Sequence, residues 1–305
     1  MKALGLILAG GNNNRMRELS NKRAIAAMPV GGSFRCIDFA LSNMSNSHIQ
    51  KVAVLTQYNA RSLNEHLSSS KWWDFGRKQG GLYVFTPTVT SDNSWWYRGT
   101  ADAIYRNIDF LKRCHEPYVI ITSGDCVYKM DYNEVLDYHI SKKADITVVC
   151  RDMGPEEDDV CRFGIVRMNE DSRIVEFEEK PMVARSNTVS TGIYVIRRRA
   201  LIEMLEKCAE EARWDFVTDI LIRYKNLKRI YGYKMTGYWS NIATVESYYK
   251  TNMDFLKEDV RNYMFRSEPK IYSKIDDLPP AKYNTGSVVK LSLIHISEPT
   301  RPLYI

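Results

Sequence analysis

The sequence predicts an α/β fold built on a mostly parallel central sheet with helices on both faces. Three observations carry this expectation. Short β-branched or aliphatic runs alternate with amphipathic stretches along most of the 305 residues, the pattern of strands joined by crossover helices. Glycine- and acid-bearing segments follow directly on two of the apolar runs, Gly10-Gly11 on the first and Gly124-Asp125 on a later one, which is where open sheets of this kind bind ligands. The length leaves room for one large α/β domain and part of a second.

In chain order, the first strand is expected over 4–9. Its run Ala3-Leu4-Gly5-Leu6-Ile7-Leu8 is too short for a signal peptide and is closed at once by a glycine pair, so it reads as buried. An amphipathic helix at 37–46 leads to a strand at 51–56 and a helix at 60–68. Residues 101–113 form one helix, with Thr100 as its N-cap. The aliphatic strand 118–123 ends on the Gly124-Asp125 pair. A helix at 132–142 follows, then strands at 146–150, 164–168 and 192–196. Helices at 199–213 and 218–224, a strand at 230–234 and a helix at 245–257 complete a domain over 1–258. Beyond it, Pro269, Pro279 and Pro280 interrupt a stretch without clear period, so 259–290 reads as a connector leaving the domain. Residues 291–305, which open Leu-Ser-Leu-Ile-His-Ile-Ser-Glu-Pro-Thr-Arg-Pro, look like a translated adapter or vector tail and are set aside. The natural protein is expected to continue past Lys290.

Charge and cysteine usage bound the function. The net charge of +6 is small for this length, and both signs are interspersed. Basic clusters at Arg197-Arg198-Arg199 and at Lys225, Lys228 and Arg229 read as solvated faces. No nucleic acid is expected as a partner, and phosphate-bearing small molecules fit better. Six cysteines (36, 114, 126, 150, 161, 208) show no C-x-x-C spacing. Reduced thiols in a cytoplasmic protein are expected, without a disulfide framework or zinc site. No stretch reaches the length of a membrane span, so no membrane partner is expected.

Several segments carry chemistry. In Gly10-Gly11-Asn12-Asn13-Asn14-Arg15 the glycines let backbone N–H groups approach a phosphate, and Arg15 can neutralise it; the bland alternative is a tight turn. Arg23 and Arg35 are further candidates for bidentate phosphate contact, although for Arg35 a local ion pair with Asp38 is the preferred reading. Trp95-Trp96-Tyr97-Arg98-Gly99-Thr100 offers an aromatic wall and a glycine against which a base or ribose can lie, or else an aromatic hinge. Asp125, at a strand's carboxyl end, has the character of a Mg²⁺ ligand. Lys180, in Phe177-Glu178-Glu179-Lys180-Pro181, is either a point charge for a sugar phosphate or part of a solvated charge run.

Together these segments resemble the ADP-glucose pyrophosphorylases, the glucose-1-phosphate adenylyltransferases of glycogen biosynthesis. The likeness runs collinearly over about 3–258 and rests on 8–11, 21–24, 37–43, Gln57-Tyr58, 96–102, Gly124-Asp125, 128–132, 179–181 and Gly192-Ile193-Tyr194. It implies a Rossmann-like nucleotidyltransferase domain followed by a left-handed β-helix, which is expected to be largely missing after about residue 285. It implies a phosphate loop at Gly10, Gly11 and Arg15, the last a catalytic residue. Gln57, Trp96, Gly99 and Thr100 would bind the nucleotide. Asp125 would be catalytic and a ligand of Mg²⁺, and Lys180 would bind glucose 1-phosphate.

The departures from the family are informative. The family's Gly-Gly-x-Gly-Thr-Arg loop has Asn13 and Asn14 in place of Gly-Thr, and Asn crowds the approach that Gly permits. Its Arg-Ala-Lys-Pro is Arg23-Ala24-Ile25-Ala26, so a cation has become apolar. The residue after the first metal-binding Asp, usually His, is Cys126. Finally, Trp-x-Asp-x-Gly-Thr is Trp239-Ser240-Asn241-Ile242-Ala243-Thr244, which puts a neutral amide at the second metal-binding Asp. This pattern is similar to the GlgD-type regulatory subunit of Gram-positive bacteria, which implies a hetero-oligomer with a catalytic GlgC-type subunit and little activity alone. Two other readings are carried: an active adenylyltransferase using Mg²⁺ on Asp125, and a sugar-phosphate or nucleotide sensor without turnover.

Overall fold

The structure is a computed structural model that describes residues 2–11, 14–76, 80–88, 96–154 and 160–274. Asn13, Trp95 and the expectations for the chain past 274 lie outside the described residues, as does the side chain of Asn14. In chain order the elements are β1 (Ala3–Leu8), β2 (Pro29–Val30), β3 (Phe34–Arg35), α1 (Cys36–Asn46), β4 (Lys51–Leu55), α2 (Arg61–Leu67) and β5 (Gly81–Phe85). Then come α3 (Thr100–Tyr105), α4 (Ile108–Arg113), β6 (Tyr118–Ser123), β7 (Cys126–Tyr128), α5 (Tyr132–Ser141), β8 (Ile146–Asp152), β9 (Gly164–Met168) and β10 (Ile174–Glu179). The last are β11 (Thr188–Arg197), α6 (Arg198–Glu210), β12 (Ile230–Lys234), β13 (Trp239–Asn241), α7 (Val245–Asp254) and α8 (Glu258–Arg261).

Side chains of an extended chain alternate between faces, and β1 uses this to divide the core. Ala3 and Ile7 join the apolar layer under α1, α2 and α5, whereas Leu4 and Leu6 join the layer under α3, α4 and α6. Burial on both faces explains why the strand reads as a continuous apolar run. The main sheet has nine strands, in the order β10-β9-β11-β6-β1-β4-β5, with β8 on β11 and β12 on β8. β1 pairs parallel with β4 and β6, β4 with β5, and β8 with β12. β10 and β11 run against the rest, so the sheet is mostly parallel, as expected.

The structure corrects several local expectations. The helix expected over 101–113 is broken into α3 and α4. The Asn107 side chain donates to the Ala103 carbonyl at 2.8 Å and to Tyr97 Oη at 3.0 Å, competing with the helical ladder. Thr100 is not the N-cap. Gly99 holds that position, and the N–H groups of Ala101 and Asp102 donate to the Trp214 carbonyl at 2.8 and 3.3 Å. Thr100 Oγ1 instead accepts from Phe216 N–H at 2.9 Å. The helix expected at 218–224 is a π-helical turn over Val217–Ile222. The strand expected at 192–196 is the longer β11, whose register with β8 slips between Ser190 and Tyr194 around Gly192, φ +77°. β5 and β10 are strands the sequence pattern did not reveal.

The chain from 259 onward is expected to be a connector leaving the domain. Its described part is α8 and a π-helical turn over Asn262–Arg266, laid back on the domain. Met264 and Ile271 are buried with Met16, Ile25, Phe39 and Phe255. Lys129, itself buried, donates through Nζ to the carbonyls of Tyr263 (2.7 Å) and Ser267 (2.9 Å), so a cation satisfies carbonyls at the end of that turn. Among the described residues no helix is long and apolar enough to cross a membrane. All six cysteines are free, as their spacing implied.

Candidate functional site

The carboxyl ends of β1, β4 and β6 open into one cavity of about 800 Å³. After β1, Ala9 N–H donates to the Leu55 carbonyl at 2.8 Å, keeping the following glycines beside the end of β4. Gly10 sits against Gln57, where a Cβ would lie 3.1 Å from the Gln57 Cβ, so a larger residue would crowd the turn. A Cβ on Gly11 would meet nothing within 4 Å. Gln57 Oε1 accepts from Tyr97 N–H at 2.8 Å, which ties the turn after β4 to the segment entering α3. Gly99 has extended backbone, and its need for glycine is spatial: a Cβ would lie 2.3 Å from the Trp214 carbonyl oxygen. The close neighbour of Gly99 is therefore the chain's own backbone, rather than the base or ribose that the motif suggested.

Of the residues expected to act, Gly10, Gly11, Arg15, Gln57, Gly99, Thr100, Asp125 and Lys180 all line the cavity, as does Asn241. Trp96 does not. It is 56% exposed and stacks on Tyr58, a lining residue, at 5.2 Å between ring centroids. Arg23 and Arg35 also lie off the lining. Arg35 is structural. Its guanidinium donates to the Ala27 carbonyl and Ser62 Oγ, and its backbone N–H donates to Asp38. Asp38 also meets His66 Nε2, at 2.6 Å. Arg98 and Arg162 also line the cavity. Arg98 stood in a motif without a role, and Arg162 lies far from any motif, so nothing in the sequence pointed to it. With Arg15 and Lys180 they make four cations against the carboxylates of Asp125 and Glu179, a balance suited to an anionic ligand.

The acid edge of the cavity is built by a small ribbon. β13 pairs antiparallel with β7, setting Asn241 opposite Cys126, and Ile242 N–H donates to the Asp125 carbonyl at 2.8 Å. Asp125 Oδ1 accepts from Ser123 Oγ at 2.5 Å and from Cys126 Sγ at 3.4 Å. Asn241 Nδ2 donates to Cys126 Sγ at 3.3 Å. Burial, with a smaller contribution from Asp125, pushes the Cys126 thiol well above its ordinary pKa, so it stays a neutral S–H. Ribbon and helix are joined by a capping box: Thr244 Oγ1 accepts from Ser247 N–H, and Ser247 Oγ accepts from Thr244 N–H, both at 3.0 Å. Ala243 does not have positive φ, so Ala for Gly there costs no backbone strain.

Ile25 lines the cavity at one edge but is 5% exposed, seated in an apolar cluster with Met16, Met28 and Phe39. For a Mg²⁺ ion the donor set is poor. At the Asp125 edge it comprises one carboxylate, a buried neutral thiol, and an amide whose N–H₂ end faces that thiol, while Glu179 is paired with Lys180 at 3.0 Å. A hard cation needs oxygens, and among the described residues no group of three or more His, Cys, Asp or Glu could hold a metal. These residues do not fit a protein-held two-carboxylate Mg²⁺ site, and no step is assigned through the ion.

A family model described as "Nucleotidyl transferase" matches residues 4–258. The glucose-1-phosphate adenylyltransferase of Thermosipho melanesiensis is 41% identical over 293 residues, covering 95% of this chain and 71% of that protein. The enzyme of the same name from Bacillus subtilis is 40% identical over 297 residues, with 96% and 78% covered. That from Clostridium acetobutylicum is 41% identical over 294 residues, with 95% and 77% covered.

Proposed function

The chain belongs to the nucleotidyl transferase family, among the ADP-glucose pyrophosphorylases, and from that premise we propose that it is a catalytically impaired, regulatory subunit of such an enzyme in glycogen biosynthesis. The observation that carries this reading is the amide at Asn241, which turns its N–H₂ toward Cys126 where the reaction calls for a second metal-binding carboxylate. Nucleotidyl transfer asks a protein for positioning and for charge stabilisation at the phosphate. Positioning groups are retained at Gly10, Gly11 and Gln57. Charge stabilisation is reduced twice, at Asn241 and at the apolar Ile25. At about 3 kcal/mol for each preorganised contact, the two losses slow transfer by roughly 10⁴-fold. The partner is a catalytic homologue that keeps both groups.

The relatives' printed name favours a second reading, that of an active glucose-1-phosphate adenylyltransferase making ADP-glucose and pyrophosphate from ATP and glucose 1-phosphate. In that case Asp125 would be the protein's ligand to Mg²⁺. The deciding experiment measures ADP-glucose formation by the purified chain alone, by a catalytic homologue alone and by the two co-expressed. The subunit reading expects negligible turnover alone, co-purification, and altered kinetics of the partner. Turnover by the chain alone at the partner's rate establishes the second reading. Neither turnover nor co-purification leaves a free sensor of sugar phosphates or nucleotides.

A further inference from the structure

We infer that this cavity binds its nucleotide without a divalent metal ion, the hydrogen-bonded chain Asn241–Cys126–Asp125–Ser123 standing where an ion would otherwise bridge protein and phosphate. The inference rests on reading the cavity as a nucleotide pocket, and it concerns how that pocket is charged.

The argument follows the protons. Asp125 Oδ1 accepts from the Ser123 hydroxyl at 2.5 Å and from the Cys126 thiol at 3.4 Å, so this oxygen is already met by two donors. The Cys126 sulfur also lies 4.0 Å from the Thr191 carbonyl, but its single proton goes to the nearer, charged acceptor. With that proton committed, the sulfur presents lone pairs to Asn241, and the amide must offer its N–H₂ end, as it does at 3.3 Å. Ser123 and Cys126 both point protons at Oδ1 of Asp125, and Asn241 points its own at the Cys126 sulfur. A cation entering this edge would have to displace donors that suit an anion, and no second carboxylate would compensate it.

The rest of the cavity carries the charge that a metal would have supplied. Arg15, Arg98, Arg162 and Lys180 line it, against Asp125 and Glu179. Guanidinium groups contact phosphate oxygens directly and cannot lose their charge. Metal-free nucleotide polyphosphate is therefore the chemical class that the lining complements, and an aspartate at 241 would reverse this. It would place a second carboxylate opposite Cys126, across the β7–β13 pairing and one residue from Asp125, where two negative charges need a cation between them.

The test is titration calorimetry of the intact chain with ATP as the probe, once with EDTA and once with excess Mg²⁺, for the unaltered protein and for Asn241→Asp. In the unaltered protein the affinity for free ATP is expected to be no weaker than for its Mg²⁺ complex, beyond about threefold. In Asn241→Asp, binding in EDTA is expected to fall by more than about tenfold and to recover with Mg²⁺. Binding by the unaltered protein that appears only with Mg²⁺ overturns this inference and leaves the nucleotide pocket standing, as does an Asn241→Asp protein indifferent to Mg²⁺. Absence of ATP binding under both conditions overturns the pocket and the inference together.

Discussion

Ile25 and Asn241 differ in how easily chemistry could be returned to them, because their surroundings differ. Asn241 faces the cavity on a short ribbon, so Asn241→Asp changes charge with little change in packing. Ile25 is buried among Met16, Met28 and Phe39, so Ile25→Lys must push a cation out through its open edge. We expect each single variant to gain little ADP-glucose formation in the absence of a partner. The double variant should exceed the product of the single gains, since both groups serve one transition state; failure with folding and ATP binding intact would mean that the Asn13-Asn14 loop also disables the site. Gly99→Ala tests a different residue-scale claim. Its Cβ would meet the Trp214 carbonyl that accepts from Ala101 and Asp102, so it should cost roughly 1–3 kcal/mol of stability in denaturant unfolding. An unchanged stability would mean that the Trp214 strand of chain yields freely. Residues directly after strands, such as Gly10 and Asp125, were legible in the sequence because strand ends face ligands. Arg162 was not, because only tertiary packing brings it to the cavity.

Elements were legible where one physical pattern governed them. β1 and β6 are buried on both faces and read as unbroken apolar runs. β10 alternates but is rich in glutamate, so its last residues resembled a charge run. β7 and β13, three residues each, are too short to carry a period, although they build the acid edge of the site. α5 supplies a prediction of its own. It buries His139 against the sheet, with Nδ1 2.8 Å from Thr147 Oγ1 and the ring edge-on to Tyr118. Burial first, then Arg197, lowers the His139 pKa to about 4, with Asp145 opposing weakly. An unfolded histidine titrates near 6.5. Between the two values the unfolded chain binds the extra proton, so stability rises with pH across about 4 to 6.5 and is complete above it. The full swing is roughly 3 kcal/mol. Replacing the ring with an amide that can still bond Thr147, His139→Gln, should flatten the unfolding free energy in that window relative to the unaltered chain. Equal pH dependence in both proteins would show that His139 is not the group responsible.

At the scale of the whole molecule, a sheet with an apolar layer on each face holds the cavity walls independently of the few residues that decide chemistry. Identity of about 40% to named adenylyltransferases is compatible with either retained or lost turnover for that reason. The sequence revealed the inner strands of the sheet because they had to be apolar, and missed β5 and β10 at the two ends of its strand order. It concealed the return of the chain over 258–274, because that segment is held by Lys129 and scattered side chains rather than by periodicity. The impaired-subunit proposal makes one global expectation: ligand should stabilise the fold and remain unchanged. An ATP concentration of about 100 times Kd would add roughly 2.7 kcal/mol to the unfolding free energy, which for a chain of this size raises the melting midpoint by roughly 4–5 °C. Glucose 1-phosphate should also raise it, and Lys180→Ala should abolish that second shift while leaving the ATP shift in place, because Lys180 lies at the end of β10, on the far side of β6 from Gln57. The measurement is thermal unfolding with each ligand, run beside an assay for ADP-glucose. Loss of both shifts in Lys180→Ala would make the lysine a structural support of the cavity, and a melt unmoved by either ligand in the unaltered chain would remove the pocket reading altogether.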